Sequence, residues 1–198
     1  MINTKKNGCD LFMKKYLFSI AFAFIMVLLS NNSIYSEETW DTLNSKMIEF
    51  YNNKNYEEGF EVALKCVKAA EKDYGKYHLK TATSLNNLAE FYKLKGDLKE
   101  AEKYYKQSLA IGKVILGKNS YFMATCYKNL GFLYDMKGEL TKAEKYFIDS
   151  VEITKKANKG NRFLLFDALN NLLDFYTKHS MEEKRKELSI RLDNLVSE

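Results

Sequence analysis

Two histidines and three cysteines are the residues of this 198-residue chain best suited to hold a metal or to attack a substrate. Neither His78 nor His179 has another His or Cys at the spacing that metal sites use. No Gly-x-Ser-x-Gly motif marks a serine nucleophile either. We therefore predict no metal, no other cofactor and no enzymatic activity, with an enzyme of unknown type as the least favoured alternative.

A near-match to a nucleotide-binding loop covers residues 112–119, with the sequence GKVILGKN. Asn119 stands where that motif needs the Ser or Thr hydroxyl that holds Mg²⁺. Gly117 and Lys118 also repeat the Gly-Lys pair at 75–76. The segment is therefore interpreted as a turn between two copies of a repeat.

Three asparagines, Asn87, Asn129 and Asn171, recur at the same spacing as these two glycines, with a period of 42. A side-chain amide both donates and accepts hydrogen bonds, so it can pair with a peptide backbone in either sense. A ladder of amides would grip an extended segment without reading its sequence. The alternative is that each amide bonds to a neighbouring helix and only holds the fold together; the two roles can coexist.

The period of 42 reflects an internal repeat that organises the chain after residue 36. Residues 75–116 match residues 117–158 at 17 of 42 positions without a gap, and weaker copies precede and follow them. We predict one repeat domain over residues 37–198. Its predicted repeats span about 40–81, 82–123, 124–165 and 166–198.

Each copy has the pattern of two helices joined by a short turn. In the second copy, apolar residues recur at helical spacing over 82–95, Gly96 breaks the pattern, and a second helix is predicted over 98–116. The small Ala101 would let the two helices cross closely. Because such a pair cannot bury its faces alone, stacked neighbours must complete the core.

The composition agrees with an all-α fold. Hydrophobic residues make up 46% of the chain, which supplies a sizeable core, and there are no prolines and only 9 glycines. Turn-dense β folds need more of both. Cys66 and Cys126 fall on helices that are not immediate neighbours, so we predict two buried thiols in preference to a disulfide.

The residues of these copies resemble a known repeat. The pattern of residues 88–105 and 130–147, Leu-[Ala/Gly]-x-x-Tyr followed by Gly, Leu, Ala and an aromatic residue, resembles the tetratricopeptide repeat. The period of 42, in place of the usual ~34, and the run LNNLA at 85–89 resemble the kinesin-light-chain subtype. The resemblance implies a right-handed α-solenoid of antiparallel helix pairs, about four repeats long.

Two features depart from the family pattern. The proline that usually closes each repeat is absent throughout. The last helix, predicted over 181–196, has Arg185 where the other copies have a small residue, and its many charges suit the polar cap of a solenoid.

The resemblance also implies a protein-binding function. In such solenoids the first helix of each pair lines a groove for a peptide or a partner protein, and Ile48 and Tyr51 would extend that groove in the first repeat. The groove residues that the resemblance implies are Asn86, Asn87, Glu90, Lys93, Lys128, Asn129, Phe132, Asp135, Asn170, Asn171 and Asp174.

The first 36 residues have the order of a secretory signal peptide. Four lysines precede an uncharged run of 14 residues, 16–29, and small polar residues follow up to Ser36. A membrane-spanning helix needs ~20 apolar residues, so a cleaved signal is favoured over a retained anchor or a buried helix. We predict an exported protein, periplasmic, secreted or cell-envelope associated, and Met13 is an alternative start.

Loss of this leader removes four lysines and one aspartate, which leaves 27 basic and 25 acidic residues and a net charge of +2. A surface with such balanced charge attracts nucleic acid only weakly, so nucleic acid is not predicted as a partner. Contact with a membrane is predicted only through residues 16–29, if they are retained. Self-association through Trp40, Met47 and Phe50 of the first repeat is the structural alternative.

Overall fold

The structure, a computed structural model, describes residues 38–157 and 162–197, without the side chains of 193–197. Eight helices and no strand lie within these ranges, and the helices belong to one compact unit, Thr39–Glu198. They are α1 (Trp40–Asn52), α2 (Tyr56–Tyr74), α3 (Leu79–Leu94), α4 (Leu98–Leu116), α5 (Tyr121–Met136), α6 (Leu140–Ala157), α7 (Arg162–Lys178) and α8 (Glu182–Ser197).

Each helix packs on the helix before it and the helix after it, which gives four antiparallel pairs stacked in chain order. The predicted all-α solenoid is therefore confirmed. The first helix of the second pair begins at Leu79, earlier than the predicted start at residue 82. The cause is His78, whose Nδ1 accepts a hydrogen bond from the Lys80 backbone N–H (3.1 Å) and caps the helix.

In the turn inside each pair, one recurring residue has a backbone conformation in the left-handed region, with positive φ. Gly96 and Gly138 have φ values of +81° and +74°, and Lys54 and Ser180, the equivalent residues of the first and last copies, have +60° and +53°. A non-glycine residue there costs about 1 kcal/mol. The turn geometry is thus imposed by the fold, and glycine relieves its strain only in the two middle copies.

Small residues allow the helices of the first three pairs to cross closely, as predicted. Ala101 and Ala143 are fully buried, and a Cβ added at Gly59 would lie 3.3 Å from the Cβ of Phe50 on α1. Arg185 holds the equivalent position in the last pair, where it is only partly buried and donates to Glu182. The last pair therefore departs from the packing of the others.

Each of the two middle pairs holds a stack of tyrosine rings between its two helices. Tyr92 of α3 stacks on Tyr104 with ring centroids 5.3 Å apart, and Tyr134 of α5 stacks on Tyr146 at 5.2 Å. The interplanar angles are 8° and 9°. Such near-identical surroundings at equivalent positions of two copies are what a true structural repeat requires.

Cys66 and Cys126 are buried free thiols, as predicted. Cys66 lies 3.6 Å from Ser84, and Ser108 lies 3.7 Å from Cys126. The same contact thus recurs one repeat later, with the cysteine and the serine exchanged between the two helices. Burial raises the pKa of the Cys66 thiol and raises that of Cys126 to about 12, although the serines act in the opposite direction. Both groups therefore serve as small core residues.

The first repeat does not expose the residues on which the self-association hypothesis rested. Trp40 and Met47 are buried, and Phe50 packs against the same core cluster. Trp40 also donates from Nε1 to Ser84 Oγ at 2.7 Å, which ties α1 to α3. The prediction of an exposed apolar surface on this repeat is wrong, because Trp40 and Met47 lie in a core that the first two repeats share.

The predicted leader, residues 1–36, lies outside the described residues. Among the helices that are described, none has the length and apolar character needed to cross a membrane.

A partly buried carboxylate joins the second and third repeats. Glu102 of α4 accepts hydrogen bonds from Lys106 (2.6 Å), Tyr134 (2.7 Å) and Lys137 (2.5 Å). Burial by itself would raise its pKa, but these three donors outweigh burial and lower the pKa of Glu102 from 4.5 to about 2. The carboxylate form therefore stabilises the folded chain above pH 4.5, and this contribution is lost as the pH falls towards 2.

We expect Glu102→Gln to lower the free energy of unfolding at neutral pH by about 1–2 kcal/mol, since partial exposure of the lysines screens the full effect. The difference from the wild type should shrink as the pH falls from 4.5 to 2. Urea unfolding across this range measures it, with the exposed Glu61→Gln as the matched control. A difference that stays constant with pH would contradict the assignment.

Candidate functional site

The first helices of three successive pairs lie side by side and form a groove of about 500 Å³, here called the α1–α3–α5 groove. Helix α1 contributes three residues, α3 five and α5 three. The lining residues are Met47, Ile48, Tyr51, Asn86, Asn87, Glu90, Phe91, Lys93, Lys128, Asn129 and Phe132.

Apolar side chains form one part of the α1–α3–α5 groove. Met47 and Phe91 are buried at its floor, whereas Ile48 and Tyr51 are 46% and 41% exposed. The Tyr51 ring meets that of Phe91 edge to face, with centroids 6.0 Å apart. Exposed apolar side chains over a buried aromatic floor are the usual lining of a binding cleft.

Amides form the polar part of the groove, and the predicted ladder is not uniform. Asn129 donates from Nδ2 to Oδ1 of Asn86 at 3.1 Å, so this amide links α5 to α3. Asn171 instead donates to the Asp167 carbonyl of its own helix at 2.6 Å. Asn87 makes no side-chain hydrogen bond within the described part of the chain and is therefore the amide available to a ligand.

The acid in the groove is already neutralised by its neighbours. Glu90 accepts from Tyr105 at 2.5 Å and pairs with Lys93 at 2.7 Å. Burial, and then the charge of Glu90 and the hydrogen bond to it, raises the pKa of Tyr105 well above its usual range, so this phenol remains a donor. The remaining cation, Lys128, lies 3.5 Å from the exposed carboxylate of Asp167.

Four of the predicted groove residues lie away from this groove. Asp135 is nearly buried and holds the end of α7 through Lys178 (2.8 Å) and His179 (2.6 Å). Asn171 bonds within α7, where Asn170 is partly buried and Asp174 is exposed. The other seven predicted residues lie together in the groove: Asn86, Asn87, Glu90, Lys93, Lys128, Asn129 and Phe132.

Sequence reasoning missed two residues of the groove, Met47 and Phe91. Both stand at apolar positions of the helical pattern and are buried, so nothing in their spacing distinguishes them from the rest of the core.

The chemistry of the α1–α3–α5 groove comes from the side chains that line it. Within residues 38–157 and 162–197, no group of three or more His, Cys, Asp or Glu side chains could hold a metal ion. The groups that line it are amides, aromatic rings and paired charges, which bind through hydrogen bonds and apolar contact.

Stacked antiparallel helix pairs with a groove along their first helices define an α-solenoid repeat protein. The sequence matches the tetratricopeptide repeat family over residues 41–113 and 81–156, and the chain belongs to that family. No curated protein matches the chain by sequence.

Solved structures share the fold. The crystal structure of BtubC (BKLC) from P. vanneervenii has a TM-score of 0.70 and 21% identity, covering 95% of this chain and 76% of that one. A kinesin-light-chain candidate from Podosopora anserina with nearly identical TPR-like repeats has a TM-score of 0.65 and 18% identity, covering 87% of this chain and 83% of that one. The apo form of RapI has a TM-score of 0.68 and 19% identity, covering 96% of this chain and 68% of that one. The predicted resemblance to kinesin-light-chain repeats is thus confirmed for the fold.

The contrast between the asparagines can be tested by stability alone. We expect the pair Asn86→Ala and Asn129→Ala to show a coupling energy of about 1 kcal/mol in a double-mutant cycle, because each amide completes the hydrogen bond of the other. Asn87→Ala should change the free energy of unfolding by less than about 0.5 kcal/mol. Urea unfolding of the four variants measures both values. A coupling near zero, or a large loss from Asn87→Ala, would contradict the hydrogen-bond pattern.

Proposed function

We propose that this chain is a non-catalytic scaffold that binds a segment of another protein in the α1–α3–α5 groove. The observation that carries the proposal is the groove itself, in which an amide without an internal partner stands beside exposed apolar side chains. The family supports it in general terms, since tetratricopeptide repeats are protein-interaction modules.

The contacts of the groove favour an extended segment. Asn87 can donate to and accept from a peptide unit, and Asn129 keeps an oxygen and one N–H beyond its bond to Asn86. The exposed Ile48 and Tyr51 give a neighbouring side chain of the segment an apolar surface. Because Glu90 is already paired with Lys93, binding need not leave a buried charge without a partner.

Export is the second part of the proposal. The order of the first 36 residues, positive, apolar and then small and polar, supports a signal that delivers the repeat domain outside the cytoplasm. The scaffold would then meet its partner in the periplasm, at the cell envelope or in the medium.

A photo-crosslinking residue, p-benzoylphenylalanine, placed at Ile48 should capture a discrete partner in the native cells. The same residue at Val114, which is exposed on α4 and does not line this groove, is the matched control and should not capture it. Adding Asn87→Ala to the Ile48 probe should lower the yield about tenfold, as expected for one lost hydrogen bond to a buried peptide group. Equal capture from both positions, or capture unaffected by Asn87→Ala, would refute binding in this groove.

The leader can be tested by N-terminal sequencing of the chain isolated from its native cells. We expect the mature chain to begin at Glu37. A chain that keeps residues 16–29 and sediments with membranes would favour a retained anchor. A full-length chain in the cytoplasm would contradict export.

A further inference from the structure

A second groove, of about 370 Å³, lies between α6, α7 and α8 and is here called the α6–α8 groove. It is distinct from the α1–α3–α5 groove and shares no lining residue with it. Leu169, Leu172 and Leu188 form its buried floor, and Ile148 of α6, which is 37% exposed, forms part of its apolar wall.

The internal repeat explains why this groove exists. Leu188 stands one repeat period after Tyr146, which itself stands one period after Tyr104. In the two earlier copies this position carries a tyrosine ring stacked on the tyrosine of the preceding helix. The last copy has only the shorter leucine, so the outer part of the space that the ring would fill is left open.

Two contacts of the ring site are preserved. Tyr176 donates to Glu144 at 2.9 Å, as Tyr134 donates to Glu102 at 2.7 Å in the preceding copy. Lys184 also lies over the Tyr176 ring, 5.8 Å from its centroid, as Lys142 lies over Tyr134 at 5.2 Å. What differs is that Tyr176 faces a leucine where Tyr134 faces an aromatic partner.

We propose that the α6–α8 groove binds an aromatic side chain, tyrosine or phenylalanine, of a partner protein. The ring would take the place that Tyr104 and Tyr146 take in the earlier copies and would complete the aromatic contact with Tyr176. These two intramolecular tyrosines are the template for the occupant, since their surroundings recur in the groove.

The rim of the groove favours an aromatic ring over an aliphatic side chain. Arg191 and Lys155 lie at this rim, and neither makes an ion pair within the described part of the chain. A cation that faces a ring attracts it through the ring quadrupole, and a leucine offers no such attraction. The lining acids Glu144, Glu152 and Glu187 balance the lining cations, so net charge plays little part in the choice of ligand.

The test titrates the whole chain with a blocked tripeptide, acetyl-Gly-Tyr-Gly-amide, and follows backbone amide shifts by NMR. Saturable shifts are expected at amides of α6 and α8. The matched peptide acetyl-Gly-Leu-Gly-amide should bind about threefold more weakly or worse, the difference expected for one aromatic contact. Shifts confined to α3 and α5 would report the other groove and would overturn this proposal while leaving the proposed function intact.

Leu188→Tyr is the decisive variant, because it supplies the missing ring from the chain itself. Binding of the tyrosine peptide should fall about tenfold or more, since the site is then filled. Leu188→Met, which conserves the volume of the side chain, should leave binding unchanged. The thermal midpoint of Leu188→Tyr should not fall, which separates a filled site from a damaged fold.

Ile148→Lys is a second variant in case Leu188→Tyr does not fold. It places on the exposed wall the residue found at the equivalent position of the preceding copy, Lys106, and so removes apolar surface without entering the core. Binding of the tyrosine peptide should weaken. No saturable shift in the wild type, equal binding of the leucine peptide, or binding that survives both variants would overturn the proposal.

Discussion

Everything in this molecule depends on the contact between one helix pair and the next. A single pair has two faces to cover and can cover only one by itself, so each pair relies on its neighbour for the rest of its core. The hydrogen bond from Tyr134 to Glu102, with its counterpart from Tyr176 to Glu144 in the following copy, is a recurring part of this contact. Because the contact recurs with the same geometry, α1, α3 and α5 come to lie side by side and the α1–α3–α5 groove follows.

Departures from the repeat are as informative as the repeat. Lys54 accepts the left-handed turn conformation that glycine takes in the middle copies, which shows that the stack can hold a strained residue in place. Leu188 replaces a tyrosine in the last pair, and the α6–α8 groove opens beside it. The uniform positions thus build the frame, and the exceptional positions create surfaces on which a ligand can dock.

Charges in this protein are arranged mainly to hold helices together. Glu102 and Glu144 receive a tyrosine hydroxyl and lysines from the next pair, and Glu90 is tied to Lys93 and Tyr105. A buried carboxylate with its donors in place costs little to keep, whereas one without them would destabilise the fold. Most of the polar surface left without an ion pair in the α1–α3–α5 groove therefore belongs to amides.

The sequence alone determined the repeat, the helix pairs and the buried thiols. The repeat period, the small residues at helix crossings and the apolar spacing are local signals, and the stacking of the pairs favours the same structure. It also placed seven of the predicted site residues in the groove that the structure forms. Only the tertiary structure decided which asparagine is available. Asn87, Asn129 and Asn171 look alike at their regular spacing, but the partners of an amide come from other helices and from the turn before it, and these differ in every copy.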